Sequence, residues 1–210
     1  MLARRNILKL AGTALSAANL FSQPPHFWEA KPPPEWTADE VRRMLTDSPW
    51  ARTAVVRDAG VAHPYGGAQQ WGRVPKKTKP WNVTVRWDSA APIQAATQSA
   101  GEEFERYYVI GLVGDTRVTG QLVNDRQLAE KLQILRGSTT LEPANANVLQ
   151  PEKVKEVSHE SQRALRFYFP RRRLITLDAQ HLYFATTIGR FDVMAKFDVQ
   201  DMLYRGQLAL

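Results

Sequence analysis

The alternation running through residues 182–199 restricts the fold of this sequence more than any other feature. Leu182, Phe184, Thr186 and Ile188 recur at every second position, a turn containing Gly189 follows, and Phe191, Val193, Ala195, Phe197 and Val199 resume the period. Asp192, Lys196 and Asp198 occupy positions between them. A period of two sends neighbouring side chains to opposite faces of a sheet, so the pattern predicts an antiparallel hairpin with one buried and one wet face. Other strand signals agree with it. Trp81, Val83, Val85 and Trp87 alternate with Asn82, Thr84 and Arg86, and Leu165, Phe167 and Phe169 alternate with Arg166 and Tyr168 until Pro170 ends the run. Tyr107 to Val113 is almost continuously apolar, which suits a strand buried on both faces.

Helix signals stand between these strands. Thr37 and Glu40 have the spacing of a capping box, with Trp36 and Val41 placed for a hydrophobic staple. Val41, Met44 and Leu45 supply an apolar stripe, and Pro49 closes the helix. Ser89 is expected to cap a helix reaching about Ala100, with Pro92 in its first turn. A third helix is signed by Asn124 as cap, by Leu128, Leu132 and Leu135 on one face, and by Arg136 and Gly137 at its end. Residues 58–80 and 138–161 read as polar, irregular loops. The order predicts an α+β domain over residues 36–210, a mixed or antiparallel sheet with two to three helices on one face. A proline-rich arm over residues 19–35, containing Pro32, Pro33 and Pro34, precedes it.

The first eighteen residues predict export. Arg4 and Arg5 are followed by Asn6, Ile7, Leu8 and Lys9, the x-apolar-Leu-Lys pattern of a twin-arginine signal. A soft apolar stretch runs to Leu15, and Ser16, Ala17 and Ala18 offer the small residues of a cleavage site. The expected destination is the periplasm or the cell exterior. Without cysteine the chain has no disulfide, thiol nucleophile or cysteine-ligated metal, so packing alone must hold it together. A hydrophobic content of 43% is enough for a sizeable core. The formal charge of +7 includes Arg4, Arg5 and Lys9, which leaves +4 on the mature part and argues against nucleic acid as a partner. No apolar run has the length of a transmembrane helix.

Trp36-Thr37-x-x-Glu40, Ser48-Pro49-Trp50-Ala51, Val85-Arg86-Trp87, Phe169-Pro170-Arg171 and Lys196-Phe197-Asp198, followed by Asp201-Met202 and Gly206-x-Leu208, span most of the mature chain. In these motifs and in its leader the sequence resembles a family of uncharacterised exported proteins of acidobacterial type. The resemblance implies a destination and brings no catalytic residues with it.

Chemistry-bearing motifs are sparse. His26, His63, His159 and His181 lack the spacing that sets two ligands on one helix face, and Arg163 stands where a second histidine would complete a zinc-protease motif after His159-Glu160. No Gly-x-Ser-x-Gly elbow or nucleotide loop occurs. Glu102, Glu103 and Glu105 crowd together, which suits a solvated turn better than an acid–base pair. All six tryptophans fall within the first 87 residues, and Trp28, Trp50 and Trp71 are not absorbed by the strand and staple patterns. These three are candidate ligand-binding faces, since flat aromatic surfaces suit sugars and proline-rich peptides. Arg171, Arg172 and Arg173 form a second candidate, an anion-binding cluster that Lys76, Lys77 and Lys79 could extend. The expectation is a non-enzymatic binding or assembly protein with a protein or glycan partner and no cofactor. The alternative is an exported enzyme acting on an envelope polymer, which requires at least two of Glu102, Glu103, Asp115 and His63 to converge beside tryptophan faces.

Overall fold

The structure is a computed structural model that describes residues 26–58, 81–114, 128–145, 147–159, 162–189 and 191–210. Its centre is the hairpin that the alternation predicts. Strands β7 (His181–Ile188) and β8 (Phe191–Asp198) pair antiparallel around Gly189, whose φ of 62° suits a residue without a side chain. Six further strands extend it: β1 (Ala51–Asp58), β2 (Trp81–Trp87), β3 (Tyr107–Gly114), β4 (Thr139–Pro143), β5 (Lys153–His159) and β6 (Gln162–Pro170). The order across the sheet is β4-β7-β8-β1-β2-β3-β6-β5, with every neighbouring pair antiparallel.

The sheet is curled, because strands that are not neighbours in this order meet ring to ring. Phe167 of β6 lies 5.3 Å from Phe184 of β7, Trp87 of β2 lies 5.9 Å from Phe197 of β8, and Trp81 lies 4.8 Å from Phe191. Strand β1 makes the corner by pairing with β2 over Ala51–Val56 and with β8 at Arg57 and Asp58. The apolar faces of β2, β6, β7 and β8 thereby enclose a single core.

Helices seal this core at two places. Helix α5 (Leu128–Gly137) packs on both β5 and β7, across the gap between the sheet edges, and buries Leu135. Below it the Thr139 hydroxyl donates to the Leu135 carbonyl at 2.6 Å and meets the Thr186 hydroxyl at 2.7 Å, so both buried polar groups are satisfied. At one end, α1 (Phe27–Ala30), α2 (Ala38–Thr46) and α3 (Ala91–Thr97) gather around Trp28, Trp36, Met44, Trp50 and Ile93. Helix α2 starts at the expected capping box, in which Thr37 Oγ1 accepts from Glu40 N–H and Glu40 returns a carboxylate to Thr37 N–H. One further turn of helix, α4 (Glu103–Arg106), lies against the outer face of β3 and buries Phe104 with Tyr107, Val109 and Tyr168.

This architecture corrects the α+β expectation of two to three helices on one face of a mixed sheet. The protein is mostly β, with eight antiparallel strands curled around the core and five α-helices among the described residues. Strands β1, β4 and β5 account for the difference, and in each the apolar residues do not alternate cleanly along the sequence. In β1 the outward Val55 sits between the inward Ala54 and Val56 and hides the period. In β5 the valines are three residues apart, Val154 inward and Val157 outward, while Glu156 takes an inward register beside Leu165. In β4 a hydrogen-bonded threonine fills a core position. Within the expected proline-rich arm, residues 26–35 do not stand off as a separate segment but form α1 and a 3₁₀ turn over Pro33–Glu35, and Trp28 enters the core. Ser89 does not cap α3: its hydroxyl accepts from Val109 N–H, and Ala90 takes the cap position. The leader, residues 19–25 of the arm, residues 59–80 and the cap signal at Asn124 lie outside the described residues.

Candidate ligand-binding groove

Three stretches of chain wall a groove of about 1070 Å³: residues 89–105, residues 171–178 and the carboxyl-terminal residues 204–210. Tyr108 from β3 reaches into it and fixes its second wall. The phenol oxygen accepts from Ile175 N–H at 2.8 Å and donates to the Arg173 carbonyl at 3.4 Å, pinning an irregular segment that no strand holds. The third wall is a small hairpin of β9 (Leu203–Tyr204) and β10 (Gln207–Leu208), turned through Arg205 and Gly206, both at positive φ. A left-handed arginine is strained, and its N–H is held by the Glu29 carboxylate at 2.8 Å. Trp50 anchors the residues that follow, its indole N–H donating to the Ala209 carbonyl at 2.7 Å beside the buried Leu210.

Arg171 stands on the groove wall. Its guanidinium lies 4.4 Å from the Tyr108 ring centroid, and Nη2 donates to the main-chain oxygen of Leu210. Burial pushes its pKa down from the ordinary arginine value, while the neighbouring Tyr108 acts the other way. Its Nε is buried without an acceptor. Leu174, with 75% of its surface exposed, and Leu177 form an apolar lip, and Glu102, Glu105 and Asp178 bring carboxylates to the same groove. The arrangement offers apolar contact, one stacked guanidinium and peripheral carboxylates, the ingredients of recognition by shape and charge.

A polar network crosses the outer sheet face nearby. Asp88, only 2% exposed, receives Arg86 Nε on one carboxylate oxygen and Arg166 Nε on the other, each at 2.6 Å. Gly111 makes room for it, since a Cβ there would lie 2.9 Å from Asp88 Oδ2. Farther along, Glu103 takes Lys153 at 2.6 Å and Lys155 at 2.8 Å, and these contacts pull its carboxyl down to about 2. Lys153 also lies over the rings of Tyr107 and Tyr168, at 4.7 and 4.6 Å. Burial pushes the Tyr168 phenol up to about 12, with the negative charge of Glu103 adding to the shift.

The candidates read from the sequence separate accordingly. Trp28 and Trp50 are not ligand platforms: both are core residues, packed edge to face with ring centroids 5.7 Å apart. Their burial follows from the 3₁₀ turn and α1, which bring Trp28 onto the domain. Trp71, Lys76, Lys77, Lys79, His63 and Asp115 lie outside the described residues. Arg171 joins the groove, whereas Arg172 and Arg173 are exposed and do not line it. Glu102 lines the groove while Glu103 is committed to two lysines, so these two carboxylates do not converge, and no described tryptophan lines the groove. Sequence reasoning missed Tyr108, Leu174 and Leu177, and it missed Asp88. The one available signal for Asp88 was Gly111 interrupting a buried apolar strand, the mark of a close approach.

Comparison with protein-family models, with curated proteins and with solved structures finds no match to this chain. Among the described residues, no helix is long and apolar enough to cross a membrane.

Proposed function

We propose that this chain is an exported, non-enzymatic binding domain that acts in the periplasm or outside the cell, and that the groove beside Arg171 receives its partner. The groove itself carries the reading. It is open, has an apolar lip, and its second and third walls are pinned by Tyr108 and Trp50 and joined to each other by Arg171 on Leu210. Such a site is pre-formed, so little ordering entropy opposes binding. Support for the destination comes from Arg4 and Arg5 with the small-residue site at Ser16 to Ala18, and from the resemblance to exported acidobacterial-type proteins.

The test is made in the native host with an epitope-tagged full chain. Wild-type protein is expected in the envelope or medium fraction, while replacing Arg4 and Arg5 by lysine holds it in the cytosol. A Leu174→Asp/Leu177→Asp double variant is expected to be exported normally and to lose the co-purifying partner. Cytosolic wild-type protein would refute the destination, and an unchanged partner profile in the leucine variant would refute the groove.

A further inference from the structure

We infer that a smaller pocket adjoining the groove binds an oxyanion, a phosphate or a carboxylate, carried by the ligand that the groove receives. The pocket measures about 350 Å³ and shares Arg171 and Glu105 with the groove. The fold assembles it from positions far apart in sequence. Tyr107, the first residue of β3, pairs with Pro170, the last of β6, and Arg171 N–H donates to the Arg106 carbonyl at 3.1 Å. That junction sets Arg106 beside Arg171 and Arg172 around one concavity.

These three guanidinium groups differ from the paired ones elsewhere. Arg42, Arg86 and Arg166 each hold a carboxylate at 2.6–2.8 Å. Arg106, Arg171 and Arg172 make no ion pair among the described residues, although Glu105 and Glu152 line the same pocket. Two of them are held by aromatic rings instead, Arg106 at 5.9 Å from the Tyr107 centroid and Arg171 at 4.4 Å from that of Tyr108. Contact with the Tyr107 ring positions the Arg106 guanidinium and leaves its N–H groups for a planar or tetrahedral oxyanion, while Arg171, with Nη2 on the Leu210 main-chain oxygen and Nε buried, contributes its charge. Three cations against two carboxylates leave the lining one charge positive, which a single oxyanion balances. The two carboxylates oppose a continuous polyanion, so a nucleic-acid backbone is a poor fit.

This inference rests on the groove reading, and its test separates the two. Full-length protein is titrated with inorganic phosphate and with glucuronate, followed by NMR of the arginine side chains. Wild type is expected to saturate, and Arg106→Gln/Arg172→Gln to bind at least about tenfold more weakly, the loss expected for two charge-assisted hydrogen bonds. Arg173→Gln, outside the pocket, and Leu174→Asp, on the groove lip, are expected to bind phosphate as wild type does. A second arm uses phosphatidylcholine vesicles with and without phosphatidylglycerol. Co-sedimentation with the anionic vesicles that the double variant loses assigns the oxyanion to a lipid headgroup, and retention of soluble anions alone assigns it to a soluble ligand. No saturation by either anion, an unaffected double variant, or equal loss in Arg173→Gln would overturn the inference. Loss of partner from the leucine variant with phosphate binding intact is the expected pattern, the groove lip and the oxyanion pocket holding different parts of one ligand, whereas an Arg106→Gln/Arg172→Gln variant that keeps its full partner profile would overturn the link between them.

Discussion

At single positions, the outer sheet face carries the most closely paired charges. Asp88 is a buried carboxylate neutralised by two arginines, and an ion removed from such a set strands the charges left behind. Asp88→Asn keeps the shape and removes the charge. It is expected to lower unfolding stability by about 3 kcal/mol, the lower part of the range for a broken buried pair because Arg166 is partly wetted. Urea denaturation measures this, and an unchanged midpoint would show the network to be ornamental to folding. Glu103 makes a smaller, pH-dependent contribution. Its carboxyl drops from the ordinary 4.5 to about 2 in the folded chain, so the stabilisation is present above pH 4.5 and is lost as pH falls toward 2. Because the carboxylate is partly exposed, it amounts to no more than about 1 kcal/mol. The stability gap between wild type and Glu103→Gln should therefore narrow from pH 7 to pH 2.5, and a gap independent of pH would contradict the assignment. Neither role was legible from the sequence, where Asp88 follows a strand without distinction and Glu103 is one of three crowded glutamates. Apart from Arg86, two residues before Asp88, their partners come from β5 and β6, and only the sheet register brings those close.

At the level of elements, legibility tracked the purity of the period. Strands β2, β3, β6, β7 and β8 each bury a regular apolar face, or both faces, and all were readable. Helix α2 carried its own start signal in Thr37 and Glu40. Strands β1, β4 and β5 were not readable because part of what specifies them is not apolar alternation: a threonine pair in β4, a register set by β6 in β5, and a corner between two neighbours in β1. Missing them turned an eight-stranded sheet into a smaller one with helices on a face. The groove was less legible still, since its walls are irregular segments held by Tyr108 and Trp50. Helix α5 makes the curled sheet testable, because Leu135 is its buried contact across the gap between the edges. Leu135→Ala is expected to cost about 2–5 kcal/mol. Amides of β4 should lose hydrogen-exchange protection first, ahead of those in β3 and β6. Uniform loss across the sheet would mean that α5 does not guard that edge.

At the scale of the whole molecule, a closed core adjoins an open groove. Most large aromatic rings are spent on packing, which withdraws Trp28 and Trp50 from recognition and leaves Arg171, Leu174 and Leu177 to face a partner. The groove forms where the carboxyl-terminal hairpin, the segment after β6 and the turn after α3 meet, so it exists only once the domain has folded. That dependence is compatible with the proposed twin-arginine export, a route that carries folded cargo.

Site-directed photo-crosslinking in living cells of the native host addresses this account at its centre. A photoreactive residue at Leu174 is expected to give one discrete adduct in the envelope fraction, while the same residue at Val148, exposed outside the groove, gives none. Identical adducts from both positions, or none from Leu174, would contradict the claim that this groove is where the protein meets its partner.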